Sequence, residues 1–381
     1  MIYMSEPQIT DNSINLNFKV LSVIGIIIIV SGHCYHGGLP FLGYDWFPTY
    51  SFNLSLFVFI SGYFYKDKHE DNPLRYIWNR TKRLLIPAYL WNIAYGLFVA
   101  LMSNFGYTIG AEPNPYNLFV MPFFDGEAFV YNLGSWFVYP LFLVYVFNVL
   151  FRKLLKALKL DKEYLILIIY IFIGIIAIQF LIENKTVKIE GPLLLFFRAM
   201  FFIPCFEFGR FYKTKLEKHD NLNSIAYFAV IFAIQLILLT FCENLEYTPS
   251  KCTQFLNGSI VPYITSITGI AFWLRISKLL TPMIKNWKFI RIISDNTYSI
   301  MIHHMLGFMV MKWLFYAISL ITPLFSDFNI QSLKSSIWYY YLPNGLYQYA
   351  LLYLISGLFV PILIAIISKK VKCKALQLIK K

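Results

Sequence analysis

Gly32-His33-Cys34-Tyr35-His36 closes an apolar run that begins near Leu16, and Phe59-Ile60-Ser61-Gly62-Tyr63-Phe64-Tyr65 closes the next one. A histidine at the rim of a membrane span is costly to keep, because lipid offers its ring nitrogens no hydrogen-bond partner. The second run carries Asn53, Ser55 and Ser61-Gly62, small and polar groups that admit a neighbouring helix at close range. Together the two runs outline a place inside a membrane where chemistry is possible.

The rest of the chain supports a membrane setting. Hydrophobic residues make up 58% of the 381 and mean hydropathy is +0.58, whereas a soluble domain is roughly 45–50% apolar. Aromatic residues reach 19%, as suits rings at both membrane interfaces. The net charge of +13 would suggest nucleic acid in a soluble protein; here it is assigned to the excess of Lys and Arg on cytoplasmic loops, and no nucleic-acid partner is expected. The five cysteines, Cys34, Cys205, Cys242, Cys252 and Cys373, show no metal-ligand spacing. Cys242 and Cys252 flank one loop, where either a disulfide or two free thiols are compatible with the spacing.

A span needs about 20 apolar residues, and ten stretches qualify: 16–34, 46–65, 84–103, 133–151, 164–182, 193–212, 223–242, 259–277, 296–321 and 347–368. The connections then alternate in charge. Those after even-numbered spans, with the tail, hold twenty-five Lys and Arg; those after odd-numbered spans hold four, Lys185, Lys188, Lys251 and Lys334. The expected fold is therefore an all-α polytopic helical bundle of about ten spans with both termini cytoplasmic. Residues 1–15 form a polar cytoplasmic N-terminus, 16–368 the membrane domain, and 369–381 a basic cytoplasmic tail. The first span, with no cleavage pattern after it, is expected to be retained as an anchor. The outer connection 104–132 is charged only at Glu112, Asp125 and Glu127 and is broken by Pro113, Pro115 and Pro122. At that length it is expected to cover a cavity or receive an acceptor.

His33 ending the first span, a short Gly-rich link and then the Phe-x-Phe-Ile-Ser-Gly-Tyr-Phe stretch resemble the opening of the acyltransferase-3 family of integral membrane O-acyltransferases. Further elements resemble it in the family's order: Arg80-Thr81-Lys82-Arg83-Leu84-Leu85-Ile86-Pro87 entering the third span, Ser135-Trp136-Phe137 entering the fourth, and Asn296-Thr297-Tyr298-Ser299-Ile300-Met301-Ile302-His303-His304 opening the ninth. The resemblance places the family's ninth-span histidine on His304. Members commonly carry an Arg eleven positions before the first histidine; this chain has Ser22 there, and Lys19 is the nearest base.

The chemistry implied is acetyl transfer from acetyl-coenzyme A to a sugar hydroxyl of a cell-envelope or exported polysaccharide, in the cell membrane, with the donor as a substrate and no permanently bound cofactor or metal. His33 suits the base that takes the hydroxyl proton. It lies fourteen residues beyond Lys19, about 21 Å along a helix, hence nearer the outer face. His36, one turn on, and Ser61 are expected behind it. Lys19, Arg80 and Arg83 are expected to meet the donor's phosphates, with Trp136 nearby.

Arg198 and Glu207 sit in the sixth span, nine residues apart and so on opposite sides of one helix. Arg198, toward the outer half, is expected to hold an anionic group or stabilise a developing oxyanion, and Glu207 to act near the donor or bridge to another helix. Asn296, Ser299 and His303 are expected to share one face turned into the bundle, and Lys312 further along either to join them or to snorkel to the interface. Ser294 or Asp295 is expected to cap that helix. A polysaccharide or lipid-linked sugar flippase, or an envelope glycan polymerase, would share the many spans and buried charge; no inverted repeat supports the transporter.

Overall fold

The computed structural model describes residues 16–35, 38–39, 45–126, 128–185 and 187–379. Among them, nine helices are long and apolar enough to cross a membrane: α1 Leu16–Cys34, α3 Pro73–Ser103, α4 Val130–Ala157, α5 Glu163–Glu183, α6 Gly191–His219, α7 Ser224–Phe241, α8 Val261–Ile284, α9 Thr297–Ile321 and α10 Tyr347–Lys374. The second expected span is realised as a shorter helix, α2 Asn53–Tyr63, preceded by a 3-10 turn at Thr49–Ser51. The protein is thus an all-α polytopic membrane bundle; among the described residues the one β-bridge joins Thr248 and Thr253.

Two faces of the bundle are recognisable from what the connections touch. On one, the residues of the basic connections meet carboxylates. Arg210 reaches Asp67, and also Glu163 at 2.9 Å; Lys19 meets Asp295 at 3.1 Å; Lys278 and Arg275 both hold Asp220. Burial alone would raise the Asp220 carboxyl, but hydrogen bonds from Lys278 and Tyr212, with the nearby Arg275 charge, hold it below its usual range. On the other face the weakly charged connections fold over one another. Gly191 N donates to Asp125 Oδ1 at 3.1 Å, Thr108 N to the Lys334 carbonyl at 2.8 Å, and the Arg198 guanidinium to the Ser250 carbonyl. The charge alternation in the sequence therefore has a spatial counterpart.

Small residues set the closest helix crossings. A Cβ on Gly62 would lie 1.8 Å from the Phe206 carbonyl oxygen, and one on Gly209 would lie 1.9 Å from that of Phe59, so α2 and α6 touch backbone to backbone. Along α9 and α10, Ser356 Oγ donates to the Gly307 carbonyl at 2.5 Å and Ser299 Oγ to that of Pro361 at 2.7 Å. These bonds satisfy hydroxyls that lipid would leave bare. In α3 the helix widens to a π-turn over Thr81–Leu85, just before Pro87, which has no N–H for the Arg83 carbonyl. All five cysteines are free, so Cys242 and Cys252 are not joined.

Candidate active site

The two histidines that the sequence puts 271 positions apart meet in the membrane. His33, in the last turn of α1, directs Nδ1 to Nε2 of His304 at 2.9 Å, with the rings stacked at 4.8 Å. His304 Nδ1 lies 2.9 Å from the Met301 carbonyl and 3.1 Å from that of Ile300. A carbonyl only accepts, so Nδ1 of His304 carries its proton and, in the neutral ring, Nε2 accepts. His33 must then donate through Nδ1, which leaves its Nε2 with a free lone pair. That is the protonation state a general base needs.

Local sequence explains why the pair can form. The head of α4 is a 3-10 stretch, Val130–Phe137, and Gly134 within it lies against α9: a Cβ there would stand 2.0 Å from the Met301 carbonyl oxygen and 3.4 Å from His304 Cε1. Any other residue would push away the turn of α9 that orients His304. On the outer side the Trp338 ring lies 6.3 Å from that of His33 and is 52% exposed. Its strap is held by Lys312, fully buried, whose ammonium donates to the Ile337 carbonyl and lies 4.5 Å over the Tyr340 ring. Lys312 therefore does not snorkel; it secures the loop beside His33.

Beneath the pair is a cavity of about 350 Å³, lined among others by Lys19, Ser22, Ser61, Tyr145, Asp295 and Met301. It runs from the face that gathers the basic connections to Ile29 and Met301, which lie four and three residues before His33 and His304 on their helices. Lys19 lines its mouth in an ion pair with Asp295. Arg80 stacks on Tyr145, 4.2 Å from its ring, and on Tyr76. Arg83 is exposed. Ser61 lines the wall and donates to its own helix at the Phe57 carbonyl, 2.9 Å away.

The other expected residues lie elsewhere. His303 turns to α3, where Tyr95 Oη lies 2.7 Å from its Nδ1 and Trp91 meets it edge-on. Ser299 turns to α10 and Asn296 back to the Ile292 carbonyl, so the three do not form one stripe. Asn296 itself occupies the N-cap position of α9 without a side-chain cap bond, because Ser294 and Asp295 end a separate short helix, Lys288–Asp295. His36 lies outside the described residues.

Arg198 is buried over Trp136, and its Nε, Nη1 and Nη2 donate to the carbonyls of Ser250, Phe124 and Asp125. It ties outer loops together rather than facing the histidines. Glu207, also fully buried, accepts from Arg152 at 2.6 Å, and Arg152 is shared with Glu163. It does not line the inner cavity, which corrects the expectation of a donor contact and matches the bridge to a neighbouring helix.

Trp338, Tyr95 and Gly134 were not singled out by the sequence. No spacing rule shows which outer loop returns over His33, and one glycine among nineteen carries no mark of the close approach it permits. A family model described as an acyltransferase domain matches residues 15–369. Neither the curated proteins nor the solved structures include a match to this chain.

Proposed function

The chain belongs to this acyltransferase family, and from that membership we propose that it moves an acetyl group from acetyl-coenzyme A, taken up at the cytoplasmic face of the cell membrane, to a sugar hydroxyl of a cell-envelope or exported polysaccharide at the other face. The observation that carries this reading is the His33–His304 pair, one helical turn beyond Ile29 and Met301 of the inner cavity's lining, with the unprotonated Nε2 of His33 as base.

In the proposed reaction the donor's phosphates rest near Lys19 and Arg80 and the thioester rises past Ser61. His33 Nε2 takes the proton of the acceptor hydroxyl as its oxygen attacks the thioester carbon. The C–S bond then breaks, and the thiolate receives the proton from His33. His304 accepts from His33 Nδ1 throughout, which keeps the ring oriented and stabilises the transient imidazolium. Trp338, exposed beside His33, offers the acceptor sugar an apolar face to lie against.

The test is thiol release from acetyl-coenzyme A by purified protein in proteoliposomes, with and without an added glycan. Glycan-dependent release that His33→Ala abolishes is expected. Transport of glycan across the bilayer with no thioester consumed would instead identify a transporter.

A further inference from the structure

The weakly charged face carries four Lys or Arg in its connections, and the fold brings three of them to one place. Lys185 and Lys188, beyond the end of α5, and Lys251, between α7 and α8, line a single cavity of about 720 Å³, with Arg198 in its wall. Two carboxylates share the lining. Asp125 accepts from Gly191 N, and Glu190 pairs with Lys188 at 2.7 Å where both are exposed. Among the described residues three lysines stand against two carboxylates in the lining, and Arg198 is committed to loop carbonyls; the lysines leave a positive charge that a concave site concentrates. Arg198 in its wall lies 4.8 Å over Trp136, two residues after the Gly134 that packs against α9, which links this cavity to the segment beside the histidine pair without bringing it to them.

We propose that this cavity is a subsite for anionic groups, phosphate or carboxylate, of the acceptor glycan, separate from the His33–His304 pair. The word acceptor rests on the acyltransferase reading. A neutral sugar is held by hydroxyl, amide and aromatic groups and gains little from ammonium groups, whereas a phosphate or carboxylate gains from each. The cavity therefore selects a charged polymer by a unit distant from the hydroxyl that reacts. The other source of such an anion is the headgroup of a membrane lipid, and the experiment separates the two.

A phosphorylated oligosaccharide and its dephosphorylated counterpart are titrated into the purified full-length protein by calorimetry, in wild type, in the triple variant K185Q/K188Q/K251Q and in K334Q. Wild type is expected to bind the phosphorylated form about tenfold more tightly, with the preference shrinking as salt rises from 0.1 M, where screening acts over about 10 Å. The triple variant is expected to lose that factor, about 1.4 kcal/mol, and to bind the dephosphorylated form as wild type does. K334Q, whose lysine lies outside the cavity, is expected to match wild type. Equal weakening by K334Q, or no preference for phosphate in wild type, would overturn the proposal. So would displacement of the oligosaccharide by anionic phosphatidylglycerol vesicles but not by zwitterionic ones, which would assign the cavity to lipid. Binding needs no turnover, so the outcomes separate cleanly: lysine-dependent binding without acetyl transfer would remove the transferase reading and keep the anion site, and transfer indifferent to phosphate would do the reverse.

Discussion

His304 accepts a hydrogen bond from His33 across the α1–α9 contact while its own Nδ1 is committed to backbone carbonyls, so one ring fixes the tautomer of the other. A positioned general base contributes roughly 10²- to 10⁴-fold, and His33→Ala is expected to lower kcat for acetyl transfer within that range while the protein still inserts. His304→Gln, which keeps an acceptor for His33 Nδ1–H, is expected to retain more activity than His304→Ala. Equal loss in the two His304 variants, measured in proteoliposomes, would show that the hydrogen bond does not orient the base.

The inner cavity predicts a split between two arginines of one basic run. Arg80, stacked against Tyr145 of the cavity wall, is expected on replacement by Gln to raise the donor KM several-fold with kcat little changed, as loss of a ground-state contact does. Arg83, exposed, is expected to matter much less. Donor-saturation curves for the two single variants make the comparison.

Ser61→Phe fills the same cavity from its side wall, and impaired donor entry without loss of folding is the expected result. Protection from thermal unfolding by a non-hydrolysable thioether analogue of the donor, present in wild type and absent in the variant, is the measurement.

Where α2 meets α6, Gly62→Ala places a methyl group 1.8 Å from a carbonyl oxygen that cannot turn aside. Overpacking of this kind costs about 1–3 kcal/mol or more. Lower yield and a lower Tm in detergent are expected, and an unchanged Tm would show that the helices separate freely.

Trp338→Ala is expected to raise the acceptor KM with the donor KM unchanged, and Trp338→Phe to restore part of the loss. Arg198→Lys gives the contrasting pattern. A lysine cannot fork to the carbonyls of Ser250, Phe124 and Asp125, and each buried acceptor left bare costs about 1–3 kcal/mol. Thermal stability is expected to fall with both KM values near wild type.

The architecture was legible because lipid imposes simple rules: apolar length marks a span and basic residues mark its cytoplasmic end. Nine of the ten expected spans are long helices among the described residues; α2 departs because Pro48 and the 3-10 turn at Thr49–Ser51 leave only Asn53–Tyr63 to the helix. The site was legible one residue at a time. His33 and His304 were each marked, but their contact depends on a crossing between distant helices that no local pattern encodes. Arg152 and Arg210 counted as orientation charges, yet they are buried, because Asp67, Glu163 and Glu207 arrive from other segments to meet them. The expected polar stripe on α9 divided because three different helices pack around that turn.

The inner cavity has a length as well as a lining. Its charged mouth at Lys19 and its inner limit at Ile29 lie on one helix, ten residues apart, about 15 Å at 1.5 Å per residue, and His33 stands one turn further on. In the proposed reaction a donor anchored by its phosphates at that mouth would reach His33 only with its thioester at the end of a slender arm somewhat longer than that. Under the proposed reaction the bundle would act as a ruler: small acyl phosphates and other compact activated acids, whose reactive carbon sits beside their charge, are expected to fall short of His33.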